Sequence, residues 1–193
     1  MYRKVFIALG FCLVIVGLVG ITKASIMPIK AIIGQQYLEV AWKESLRANK
    51  LSKPWKSADF YMIGKLTVPK LKISRVILNS STGEAMAWGI GRVDNAQSSS
   101  KGGPIILAGH RDSHMQFMSK LNVGDKLELM MSDRSLRTFI ISKADITKKP
   151  ELAISVLNSE NERLVLTTCW PFSANKRGLK RYVLIADRYN EPI

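Results

Sequence analysis

The stretch Arg163-Leu-Val-Leu-Thr-Thr-Cys-Trp-Pro-Phe172 is an apolar, β-branched run that reaches a cysteine and then stops at a proline. Short runs of this kind read as buried strands, and Pro171 ends the run because it has no N–H to give to a ladder. Cys169 therefore stands at the open end of a strand. A structural cysteine can occupy any part of a core, whereas a nucleophile has to stand where a rigid strand meets solvent.

Runs of the same texture recur from Ile63 onward, at residues 65–68, 73–78, 104–108, 126–131, 138–144, 164–168 and 182–186. Asn122-Val-Gly-Asp125 and Asp133-Arg-Ser135 read as hairpin connections between them. No long helical pattern alternates with the strands, which excludes βαβ units and predicts a closed or nearly closed, antiparallel-rich barrel. Short helices are expected only at residues 84–88 and 114–121. No internal repeat occurs.

The N-terminal part has a different character. Arg3 and Lys4 precede an unbroken apolar run from Val5 to Ile21, bounded by Lys23. Such a run is at the short limit for a spanning helix and longer than most signal-peptide cores. It predicts an uncleaved signal anchor with its N-terminus inside; the alternative is a cleaved signal peptide, for which Thr22-Lys-Ala24 is a poor cleavage site. Residues 30–50 then carry Ile32, Ile33, Tyr37, Leu38, Ala41, Trp42 and Leu46 at near-helical spacing, the pattern of an amphipathic helix packed on the domain that follows. The expected organisation is a cytoplasmic stub at 1–4, a transmembrane segment at 5–22, a juxtamembrane helix and linker at 23–55, and the barrel at 56–193. The barrel would face the periplasm or exterior from the cytoplasmic membrane.

The net charge of +14 over 193 residues is spread along the chain. Residues 1–55 hold eight Lys/Arg against two Glu, leaving +8 beyond them. No zinc-ligand spacing or RNP-like aromatic motif supports a nucleic-acid partner, and proximity to an anionic membrane surface accounts for the charge equally well. No dense acidic loop suggests a metal, and no cofactor is expected.

Of the two cysteines, Cys12 lies within the apolar run, so Cys169 has no partner in the exported part. An odd exported cysteine pairs between chains or reacts, although an inert core thiol is the plainer alternative. Two further strand ends carry suitable chemistry. Gly103-Pro-Ile-Ile-Leu-Ala-Gly-His110 delivers His110 to the end of an apolar run, and Arg181 opens the run that follows the cysteine loop. Positive charge stabilises a thiolate, an imidazole protonates a leaving amine, and a guanidinium donates paired hydrogen bonds to a carbonyl or oxyanion. Each residue alone is weak evidence; the conjunction points to nucleophilic acyl chemistry.

On these residues the chain resembles the sortases, membrane-anchored cysteine transpeptidases. Val165-Leu-Thr-Thr-Cys169 matches the family's T-L-x-T-C except at the first threonine, and Ala108-Gly-His110 matches its A-G-H. Arg181 falls at the family's arginine position, Gly64 to Leu71 resembles its opening strand, and Val123-Gly-Asp125 its recurrent hairpin. Pro54-Trp-Lys-Ser-Ala-Asp59, Gly109-His-Arg-Asp-Ser-His114 and Cys169-Trp-Pro-Phe172 are similar to motifs of Gram-negative, marine proteobacterial sortases, with departures at Ser113, Met115 and Trp170. The resemblance implies an eight-stranded β-barrel acting on a C-terminal LPxTG-like sorting signal, with an amine as acceptor. Cys169 would be the nucleophile, His110 the acid and base, and Arg181 the carbonyl or oxyanion donor, with Thr168 as second support. His114 would line or support the site. Trp170 and Phe172 either wall a substrate groove or belong to the core. Asp112 either orients a histidine or, preferably, caps the helix after it. Two rivals remain open: a hydrolytic cysteine protease or amidase, and a non-catalytic basic barrel that binds anionic lipid or polyanion.

Overall fold

From Gly64 to Val68, buried and half-buried residues alternate with period two, so Gly64, Leu66 and Val68 point inward; a bulge between Met62 and Gly64 turns Met62 instead to the outer face. The computed structural model describes residues 2–94, 103–148, 162–174 and 178–190, with backbone alone at residues 2, 5, 8, 9 and 23–32 of the first helix. Helix α1 (Tyr2–Ala48) precedes strands β1 (Met62–Val68) and β2 (Ile73–Leu78), helix α2 (Gly83–Trp88), and strands β3 (Ile90–Arg92), β4 (Ile105–Ala108), β5 (Lys126–Met131), β6 (Leu136–Thr147), β7 (Arg163–Cys169) and β8 (Arg181–Tyr189). They close into one barrel in the order β1-β2-β3-β4-β7-β8-β6-β5. Closure removes the exposed edges that an open sheet would leave.

Neighbouring strands are mostly antiparallel, but β2–β3 and β4–β7 run parallel. The inward faces form one apolar core that includes Leu66, Ile77, Leu107, Leu129, Phe139, Leu166 and Leu184, all at most 1% exposed. A second cluster lies outside the wall. There Leu38, Ala41 and Trp42 of α1 pack with Phe60, Val76 and Ala85. Lys65 Nζ donates to Glu39 Oε2 at 2.8 Å, and Arg134 Nη2 donates to the Leu46 carbonyl at 2.6 Å. Gly34 permits the closest approach: a Cβ there would lie 2.5 Å from Cε3 of Trp88. α1 thus packs on the outside of the barrel wall, as the amphipathic pattern at 30–50 suggests.

Several expectations need correction. α1 is a single helix of 47 residues, not an anchor followed by a separate helix. Its buried stripe is Gly34, Leu38, Ala41, Trp42 and Ser45, while Ile33 and Tyr37 face outward at 47% and 61% exposure. Among the described residues, no helix is long and apolar enough to cross a membrane, and the span at 5–22 rests on the sequence alone. The first part of α1 does leave Phe6, Ile7, Phe11, Leu13, Val16 and Ile21 exposed. Asn122–Asp125 is not a hairpin but a turn that leads into β5. Gly124 adopts φ +93° there, and Asp125 Oδ2 accepts from the Asn122 N–H at 2.8 Å. The helix expected at 114–121 is a 3₁₀ helix, Gln116–Lys120, preceded by tight turns.

Candidate active site

The parallel pairing of β4 with β7 brings the distant ends of the chain's two chemical motifs together. Ala108 is opposite Thr167, so both strands finish at the same rim of the barrel, one delivering Gly109-His110 and the other Thr168-Cys169. β8 begins where β7 ends, and its first residue, Arg181, is the direct ladder partner of Cys169. His110, Cys169 and Arg181 line one cleft of about 500 Å³, together with Met86, Arg111, Asp112, Thr168 and Gly178. Cys169 is a free thiol, half-buried, and Arg181 is exposed. Three cationic or potentially cationic groups border the cleft against a single carboxylate, that of Asp112.

The rim is held by specific bonds. Thr168 Oγ1, 3% exposed, donates to the Gly109 carbonyl at 2.7 Å, tying the cysteine strand to the histidine loop. Its one proton is committed there. Thr168 therefore ties the two loops at the cleft it also lines. The Trp170 N–H donates to the Lys180 carbonyl at 3.0 Å, extending the β7–β8 ladder past Cys169. Arg181 Nη1 donates to the carbonyls of Gly178 and Lys180 at 2.9 and 3.1 Å, which steadies the guanidinium at the cleft mouth. A Cβ at Gly178 would meet the Trp170 carbonyl at 2.9 Å, so the returning loop can close only over glycine.

The remaining predicted residues lie beside the cleft. His114 is 3% exposed, with Nε2 3.4 Å from the Ala87 carbonyl of α2. Burial holds its pKa below the usual histidine value, opposed by the Ala87 carbonyl, so the neutral ring is favoured. His114 supports α2 and does not line the cleft. Trp170 stacks on Tyr182 at 5.7 Å, and Phe172 meets both rings edge-on at 5.5 and 5.3 Å. Phe172 and Tyr182 also pack against the barrel core, and none of the three rings is among the described lining of the cleft. Burial pushes the Tyr182 hydroxyl pKa up. Asp112 is exposed at the cleft and does not cap the following helix, whose N-cap is Met115 with no side-chain bond. Met86 of α2 and Arg111 line the cleft as well, and neither is among the candidates the sequence offers. Arg111 was visible within Gly109-His-Arg-Asp112, but nothing in the sequence brings α2 to this rim.

A closed barrel with a free strand-end cysteine beside a histidine and an arginine defines the architecture of a cysteine-nucleophile domain. Its family is shown by comparison: the Sortase domain matches residues 66–189, and the chain belongs to the sortase family. It is 33% identical over 125 residues to "Sortase D" of Bacillus subtilis (strain 168), a match that covers 65% of this chain and 63% of that relative, a little under two thirds of its length. The fold is similar to a Clostridium perfringens sortase D5 transpeptidase, with a TM-score of 0.60 at 17% identity over 83% of this chain and 99% of that one. It is also similar to sortase A from Corynebacterium diphtheriae, with a TM-score of 0.59 at 14% identity over 83% and 86% of the two chains.

Proposed function

We propose that this chain is a membrane-held cysteine transpeptidase that cuts an LPxTG-like C-terminal sorting signal and passes the acyl group to an amine. The observation that carries the proposal is the convergence of Cys169, His110 and Arg181 in one cleft at one barrel rim. The thiolate of Cys169 attacks the carbonyl carbon of the signal's threonine. Arg181, with five N–H donors in a planar fork, donates to the oxygen as it gains charge. The C–N bond to glycine then breaks and His110 gives its proton to the departing amine, leaving a thioacyl enzyme. An incoming amine attacks the thioester, His110 takes its proton, and the thiolate is released for another round.

Membrane attachment through residues 5–22, with the barrel on the outer side of the cytoplasmic membrane, is supported by the apolar side chains exposed there. Kinship with Gram-negative, marine proteobacterial sortases is supported by the Pro54–Asp59, Gly109–His114 and Cys169–Phe172 motifs. The test is cleavage of a sorting-signal peptide by the full chain in detergent micelles, with and without an added amine, beside Cys169→Ala. Transpeptidation requires an amide product that appears only with the amine. Hydrolysis alone supports the protease reading, and unchanged cleavage in Cys169→Ala refutes catalysis at this cleft.

A further inference from the structure

Arg111 borders the cleft, yet the chemistry above leaves it without a task. It follows His110, is only 9% exposed, and shares the cleft with Cys169 and Arg181. A charge so far out of water is tolerated only when fixed partners offset its desolvation. One such partner lies in the segment that follows the cysteine: Arg111 Nη2 donates to the backbone carbonyl of Ala174.

The two reacting groups reach the cleft on different loops. His110 opens a turn in which the Met115 N–H returns to the His110 carbonyl at 2.9 Å. Cys169 ends β7, and a turn that opens at Pro171, two residues on, is closed by the Ala174 N–H on the Pro171 carbonyl at 3.3 Å. The β4–β7 ladder ends at Ala108 and Thr167, before either reacting side chain. Beyond it, Thr168 ties to Gly109, and the Arg111–Ala174 bond is the next tie outward.

We propose that Arg111 is a positioning residue that clamps the post-cysteine segment onto the histidine loop, and so fixes the spacing of His110 from Cys169 during acyl transfer. The inference rests on the reading of those two residues as the reacting pair. Arginine suits the task because its rigid fork holds one carbonyl while keeping donors for other partners. Lysine offers a flexible point charge, and it restores such a clamp only in part.

The test uses the full chain in detergent micelles, in a Cys12→Ser background so that iodoacetamide counts Cys169 alone. Peptide cleavage with an amine acceptor is measured per titrated thiol for the parent, Arg111→Met, Arg111→Lys and Cys169→Ala. Arg111→Met is expected to lower kcat about 10- to 100-fold, the scale of a small misplacement of reacting atoms, with KM nearly unchanged. Arg111→Lys recovers part of that loss. Hydrogen exchange over residues 170–174 rises in Arg111→Met, while β1, β2 and β5 keep parental protection. Parental kcat per thiol in Arg111→Met, or protection lost evenly across the barrel, overturns the positioning role. If Arg111→Met does not fold, Arg111→Lys decides: reduced kcat at an unchanged melting temperature supports the clamp, and parental kcat overturns it. Activity retained by Cys169→Ala overturns instead the reading of the reacting pair, whatever the Arg111 variants do.

Discussion

Cys169 and Arg181 face one another directly across the β7–β8 ladder. Opposed residues of an antiparallel pair keep their Cβ atoms about 4.5–5.5 Å apart, so the sheet itself keeps the guanidinium's base beside the thiol. Arg181→Ala is expected to lower kcat/KM about 10²- to 10³-fold, the usual loss of an oxyanion donor. Its melting temperature should match the parent, because the side chain is exposed. Arg181→Lys recovers little, since lysine lacks the fork. Peptide-cleavage kinetics beside thermal melting check both points.

The Thr168 hydroxyl satisfies a buried carbonyl. Thr168→Val keeps the shape but leaves the Gly109 oxygen without that donor, at a cost of about 1–3 kcal/mol. Thr168→Ser keeps the donor and stays closer to the parent. Chemical denaturation of the three proteins measures the difference, and equal stability of Val and parent contradicts it.

Gly34 lets α1 lie against Trp88. Any side chain at this position meets the indole at 2.5 Å, and Gly34→Leu is expected to cost about 1–3 kcal/mol through overpacking. Because α2 also supplies Met86 to the cleft, the same change should raise KM for the peptide. A Leu variant with parental stability and KM argues that α1 does not shape the site.

The His114 ring is buried and favours its neutral form; burial is the main cause, nearby Arg75 and His110 add to it, and Asp112 and the Ala87 carbonyl oppose it. Its pKa in the fold is below that of the unfolded chain, so unfolding takes up a proton at mildly acid pH. The stabilisation is therefore complete above the ordinary value of 6.5 and is lost as pH falls through the folded value. His114→Gln should flatten this part of the stability profile. Melting curves from pH 8 to pH 5 for parent and variant decide it, and parallel profiles count against the assignment.

Local pattern made much of the barrel legible. The runs at 73–78 and 126–131 coincide with β2 and β5 to the residue: the first is rich in β-branched residues, the second alternates Leu127 and Leu129 with charged neighbours, and turn-forming residues follow both. β3 escaped because three residues, Ile90-Gly-Arg92, show no period and pair through only two register positions on each side. Cys169, His110 and Arg181 were readable because each stands at the end of an apolar run. Arg111 and Met86 owe their place to closure of the barrel, which no local spacing records. His114 illustrates the opposite limit: it stands in the same motif as His110, yet the chain turns between them and buries the second ring.

The parallel alignment of β4 with β7 separates two things that most enzymes must change together. Between β4 and β7 the chain also builds β5 and β6, yet the rim where both reacting residues stand is set by ladder register and the Thr168 and Arg111 ties beyond it, not by how long that excursion is. Insertions or deletions along it would remodel the margins of the cleft while the bond-making atoms keep their places. A barrel built this way can acquire new substrates without relearning its chemistry.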